Sequence, residues 1–270
     1  MGKSSHRTLA IGSDTRVVLI GAGNVATSLA LALCSKCHLV QIYSRTLGHA
    51  KELADKCGCE NATCDLTALA DADVYIVSVT DDAIAPVLKV ASGNRKALWL
   101  HTSGSTPIGV FGLERPMHGV LYPMQSFSRE LVAKMDEVHF FVEGSTDEAT
   151  TRTEELARAM SQHVHRANSS QRESLHMAAV FACNFANHMF AQADDLLANE
   201  DLPFEAMLPL IRNMVAKLEY LSPADSQTGP AARGDKAIIE RHLSRLEGRQ
   251  KEIYKLLSQS ILEKYAPEPQ

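Results

Sequence analysis

The side chains with chemical potential fall in short, well-spaced segments. "GAGNVA" contributes Gly21, Gly23, Asn24, Val25 and Ala26 directly after the apolar run Arg16–Ile20. "YSRT" places Ser44, Arg45 and Thr46 at the end of the next apolar run. Glycines between a buried strand and a helix leave backbone amides free at the positive helix end, where a pyrophosphate can sit. Gly21 permits the tight turn, Gly23 removes a Cβ from the phosphate's path, and Ala26 allows close helix–strand packing. Asn24 and Val25 supply amides. A carboxylate at the end of the second strand would bind ribose hydroxyls and repel a 2′-phosphate. Arg45 does the reverse, because its planar fork pairs with phosphate, and Ser44 and Thr46 add hydroxyl donors. The expected coenzyme is NADP(H); a solvated arginine in a βα loop is the competing reading.

Further segments supply a reacting surface. "SVTDDAI" puts Val79 and Thr80 near the coenzyme, with Asp82 expected to cap a helix. "HTSGS" brings His101 and Thr102 to the coenzyme, Ser103 to catalysis and Gly104 to the substrate. Ser105 or Thr106 is expected to cap a following helix that begins at Pro107. "LYPMQSFS" adds Tyr122 and Ser126 to the same rim. In "SLHMAAVFACNFANHMF", a helical wheel sets His176, Cys183 and Asn187 on one stripe, with Asn184 adjoining. His176 titrates near working pH and is the expected proton donor, with Asn184 as its catalytic neighbour and Asn187 toward substrate. "TGPAARGD" offers Thr228 and Arg233 to an anionic substrate, while Asp235 caps the next helix.

The elements that must position these groups are legible as periodicity. Arg16–Ile20, Leu39–Tyr43, Val74–Val79, Ala97–His101, Val120–Tyr122 and Val138–Val142 read as strands, most apolar on both faces. Val25–Cys34, Thr46–Cys57, Asp82–Ala91, Leu131–Met135 and Asp147–Gln162 read as helices between and after them, and "VHRA" as a short edge strand. Alternating βα units predict an α/β fold, a doubly wound parallel sheet of Rossmann type. After Ser170 the texture becomes helical: Glu173–Ala198, Phe204–Leu221, Asp235–Leu246 and Lys251–Lys264, with Pro203 in a first turn and Pro209 a candidate kink. The expected domains are 1–168, binding NADP, and 169–270, all-helical. The long apolar helices 173–198 and 204–221 favour a homodimer over a buried single-chain core.

Composition narrows the classes. A net charge of −5 over 270 residues opposes a nucleic-acid footprint. No apolar run reaches membrane-spanning length, and the first residues lack a secretory apolar core, so a cytoplasmic protein is expected. The six cysteines are then most simply free thiols, although "CSKCH" and "CGCENATC" leave structural zinc as an alternative.

"GAGNVA", "YSRT", "SVTDDAI", "HTSGS", "PMQSFS", "HMAAVFACNFANH" and "TGPAARGD" occur in the order of a family assigned as NADP oxidoreductases, with a Rossmann-like domain followed by an uncharacterised helical domain. The whole chain resembles that family. More distantly it is similar to pyrroline-5-carboxylate reductase, prephenate dehydrogenase and 6-phosphogluconate dehydrogenase. The resemblance implies hydride transfer to or from a small carbonyl, imine or hydroxy-acid carbon, at a site between two domains where "HTSGS" faces His176, Asn184 and Arg233. It also implies dimerisation through the helices, and it leaves the substrate open. Related sequences tend to carry His before the Pro of "PMQSF", where this chain has Tyr122; if that His is the family's proton donor, Tyr122 must replace it, so the resemblance leaves the donor open between His176 and Tyr122. A non-catalytic NADP(H) sensor or scaffold is the alternative, and a deazaflavin-linked reductase a weaker one.

Overall fold

The computed structural model describes residues 11–128 and 133–265. Its sheet runs β1 (Arg16–Ile20), β2 (His38–Tyr43), β3 (Ala62–Thr63), β4 (Val74–Val77), β5 (Leu98–His101), β6 (His118–Met124), β7 (His139–Gly144) and β8 (Val164–Arg166). Its helices are α1 (Asn24–Leu33), α2 (Leu47–Cys57), α3 (Asp81–Val90), α4 (Asp147–Arg158), α5 (Ser169–Ala179), α6 (Ala186–Ala198), α7 (Leu208–Lys217), α8 (Lys236–Arg245) and α9 (Gly248–Tyr265). Two compact units result, Met1–Cys183 and Asn184–Gln270. The composition changes earlier, where α5 opens with an Asn168–Gln171 capping box.

In the first unit the strands lie in the order β3-β2-β1-β4-β5-β6-β7-β8. All neighbours are parallel except β6 and β7. The order reverses direction beside β1, which opens the ligand crevice of a doubly wound sheet between the carboxyl ends of β1 and β4. The fold is Rossmann-type, as the βα alternation predicts. Alternate residues feed two cores. Val17, Leu19, Ile76 and Leu100 pack with α1, α2 and α4; Val18, Ile20, Val77 and Trp99 pack with α3. Both faces are covered, hence the apolar runs without polar alternation.

Several local expectations need correction. Thr80 is the N-cap of α3 and no side chain caps it, so Asp81 and Asp82 both lie inside the first turn. No regular helix follows "HTSGS": Pro107 precedes a 3-10 turn, Ile108–Phe111. The helix read over Leu131–Met135 begins outside the described residues, and Met135–Glu137 is a 3-10 turn. Pro209 sits in the first turn of α7, where its missing N–H costs nothing, so it makes no kink. Pro203 caps a separate 3-10 turn, Phe204–Met207.

Cys34 and Cys57 lie at the ends of α1 and α2. Burial, and then the adjacent Cys34 and Cys59, push the Cys57 thiol up to about 12. Among the described residues no group of three or more His, Cys, Asp or Glu is arranged to hold a metal ion. None of the helices there is long and apolar enough to cross a membrane.

Candidate active site

The glycine turn is built by close approach. Gly21 has φ +132°, and a Cβ there would lie 2.0 Å from the carbonyl oxygen of Ser78, so only glycine fits. The turn is held by Gly21 N–H donating to Tyr43 O and Ser78 N–H to Ile20 O, both at 2.8 Å. Gly23 is the N-cap of α1, and a Cβ on it would meet nothing within 4 Å. That open space at the positive end of a ten-residue helix fits a dinucleotide pyrophosphate. Ala26 is fully buried beneath the turn, whereas the Asn24 side chain donates to Phe127 O at 3.0 Å. Val25 and Ser44 are half-buried, while Arg45 and Thr46 are exposed after β2, with Thr46 the N-cap of α2.

The loop after β5 is more enclosed than the motif implies. His101, Thr102, Ser103 and Gly104 are all buried. The His101 ring stacks on Phe111 and accepts the Ser103 N–H through Nδ1 at 3.2 Å, which places its proton on Nε2. Burial, reinforced by the nearby Arg172 cation, drives the His101 pKa down to about 3, so this imidazole is neutral. Ser103 Oγ accepts the amides of Ser105 and Thr106, at 3.2 and 2.9 Å. Ser103 thus does the capping expected of Ser105 and Thr106, and its hydroxyl organises its own loop. Thr102 reaches Ser78 Oγ, and Ser105 Oγ donates to the Asp81 carboxylate. Val79 is half-buried and Thr80 exposed on the adjoining loop.

Tyr122 on β6 and His176 on α5 come together, Oη to Nδ1, at 3.3 Å. Burial raises the Tyr122 pKa; the positive Arg172 pulls it back, and Asp81 adds to the rise. The phenol is nearly buried and His176 is exposed, so the pair connects a sheltered acid to solvent. Gly104 makes this contact possible: a Cβ there would lie 2.8 Å from Tyr122 Cζ and 3.0 Å from His176 Cβ. Ser126 is exposed beyond β6.

Beneath the loop lies Arg172, fully buried, which the sequence reading passed over. Its Nη1 donates to the carbonyls of Ser103, Gly104 and Thr106 at 2.9, 3.2 and 3.2 Å. Its Nη2 donates to Glu143 on β7 at 2.9 Å and to Ser169 Oγ at 3.0 Å. A signal was available: Arg172 precedes His176 by one helical turn, so both face the same way. Nothing in the sequence marks Glu143, whose role depends on β7 pairing with β6.

The second unit carries the other expected residues. Asn184 lies in a π-helical segment, Val180–Phe185, and Asn187 at the start of α6. A π segment closes i→i+5 bonds, so a stripe counted at the α period through Cys183 to Asn187 does not survive it. Thr228 and Arg233 are exposed, and Asp235 caps α8 by accepting from Ile238 N–H at 3.2 Å, as expected. Thr228, Leu196, Tyr254 and Leu257 help line an apolar cavity of about 300 Å³ within this unit.

Residues 5–95 match the shikimate/quinate 5-dehydrogenase family model, and residues 138–261 match a domain of unknown function. No curated protein matches. At fold level, the chain resembles a reductive aminase from Aspergillus terreus in complex with NADPH and ethyl levulinate. That likeness has 15% identity, TM-score 0.68 and 93% of each chain covered. It also resembles a pyrroline-5-carboxylate reductase from Coxiella burnetii, with 16% identity, TM-score 0.56 and 94% and 98% covered. A protein from Bacteroides fragilis described as a "putative NADP oxidoreductase" is far nearer, at 44% identity and TM-score 0.86, over 93% of this chain and 98% of that one. At that identity over that length, the chain belongs to the family of this Bacteroides NADP oxidoreductase.

Proposed function

We propose that the chain binds NADP(H) at the Gly21–Ala26 turn and acts as an oxidoreductase on a small carbonyl, imine or hydroxy-acid carbon. The observation that carries this is the turn itself: Gly21 closed against Ser78, Gly23 open at the head of α1, and Arg45 exposed after β2. The bound dinucleotide supplies or receives the hydride. The protein's share is alignment and proton transfer. In the reducing direction, the substrate oxygen or nitrogen gains charge and takes the Tyr122 proton, and His176 returns one from solvent. Asn184, Asn187, Thr228 and Arg233 are proposed to contact substrate; the guanidinium suits a carboxylate. The Tyr122–His176 contact and the likeness to a reductive aminase and a pyrroline-5-carboxylate reductase support imines and keto acids as the first substrates to try.

A homodimer is part of the proposal. Among the described residues of the second unit only Ala231, Ile239, Leu246 and Ser258 are buried, while Leu210, Met214, Val215 and Leu218 stand exposed. Helices this open lack a core of their own, and a second copy would supply one.

NADPH and NADH fluorescence titrations of wild type and Arg45→Ala test the coenzyme assignment. Losing a charge-assisted pair with the 2′-phosphate, about 1.5–3 kcal/mol, should weaken NADPH roughly tenfold to a hundredfold and leave NADH nearly unchanged. Equal losses for both coenzymes would remove the assignment. Tight NADPH binding without oxidation by any member of a cyclic-imine and keto-acid panel would favour a sensor.

A further inference from the structure

We propose that Arg172 is the positioning residue of the Tyr122–His176 pair: it fixes the Ser103–Thr106 loop against which the pair packs and keeps a permanent positive charge behind the phenol. The inference rests on the proton-transfer reading of that pair.

The geometry couples the residues in two ways. The first is steric. Gly104 lies between the guanidinium, which holds its carbonyl at 3.2 Å, and the Tyr122 ring and His176 Cβ, which leave no space for a methyl group. With Ser103 O and Thr106 O held by the same nitrogen, the loop backbone cannot move without breaking a buried charged contact. Arginine suits this task because its rigid fork serves several acceptors at once, which a lysine ammonium on a flexible stem cannot do in the same arrangement. The second is electrostatic. Arg172 is fully buried and pairs with Glu143, itself partly exposed to solvent. A buried cation so arranged favours the anionic form of a nearby phenol, opposing the burial that raises its pKa. The titratable and charged groups facing Tyr122 are His176 and Arg172 from α5 and Asp81 from α3, with Glu143 of β7 acting through Arg172. Arg172 makes no hydrogen bond to the glycine turn or to Arg45; its bonds go to the Ser103–Thr106 loop, Glu143 and Ser169.

The test is a pH titration of Tyr122 by NMR in the full chain, labelled with 13C at tyrosine Cζ; Tyr122→Phe assigns the resonance. Removing the cation in Arg172→Met should shift the Tyr122 midpoint to higher pH. Removing the counter-ion in Glu143→Gln leaves the guanidinium less compensated and should shift it to lower pH. Arg172→Lys, which keeps the charge and loses the fork, should titrate close to wild type. A purely structural arginine would let water reach the phenol on removal, so a downward shift in Arg172→Met overturns the proposal. So does an upward shift or none in Glu143→Gln, which keeps the test alive should Arg172→Met not fold. NADPH titration of the same proteins separates the two readings. Opposite Tyr122 shifts without coenzyme binding would remove the proposed function and leave Arg172's role standing; binding without those shifts would do the opposite.

Discussion

His101 gives a stability test that needs no substrate. The imidazole titrates at its ordinary 6.5 in the unfolded chain and at about 3 when folded, chiefly because burial penalises the charged ring. Between those values the unfolded state binds more protons, so stability is complete above pH 6.5 and falls as the pH drops toward 3. Each pH unit in this window is worth about 1.4 kcal/mol. By pH 5.0 the loss reaches about 2 kcal/mol relative to pH 7.5. His101→Asn isolates it, because the amide oxygen can still accept the Ser103 N–H and carries no titratable proton. Urea unfolding of both proteins at pH 7.5 and 5.0 measures the difference. Wild type should lose about 2 kcal/mol more than the variant over that interval, whatever constant cost the substitution adds. If the gap between the two proteins stays the same at both pH values, His101 is not a buried neutral imidazole and the enclosed loop after β5 is wrong.

Two glycines give sharper outcomes. Gly21→Ala would press a methyl group against the Ser78 carbonyl at a φ that L residues avoid. It should cost at least about 3 kcal/mol in chemical denaturation and abolish NADPH binding; retention of both would refute the closed turn. Gly104→Ala should cost about 1–3 kcal/mol by overpacking, and leave NADPH affinity within about threefold, because the methyl displaces the Tyr122 ring and not the coenzyme turn. Loss of the Tyr122–His176 coupling in the Tyr122 titration would accompany it; an unchanged titration with wild-type stability would refute the packing.

Periodicity and turn chemistry determined the first unit almost unaided. Buried β-branched runs such as "RVVLI" and "VYIV" can only be strands covered on both faces, and "GAGNVA" between strand and helix admits few other backbones. Such signals are local, written within one turn or one strand. The site's wiring is not local. His101 reads as a ligand-facing residue at a strand's end, yet the chain folds Phe111 against it and seals it. Ser103 reads as a catalytic hydroxyl, yet its oxygen is engaged by the two amides that follow. The helical stripe from His176 depended on an unbroken 3.6-residue period, which the π segment at Val180–Phe185 interrupts. Arg172 and Glu143, 29 residues apart, acquire a role only once α5 returns to the sheet beside β7. The sequence alone therefore determined most strands and helices of the first unit and marked the turn where a dinucleotide is proposed to bind. Only the tertiary structure decided which polar groups are enclosed together, because a buried charge or imidazole is defined by the neighbours that replace its water.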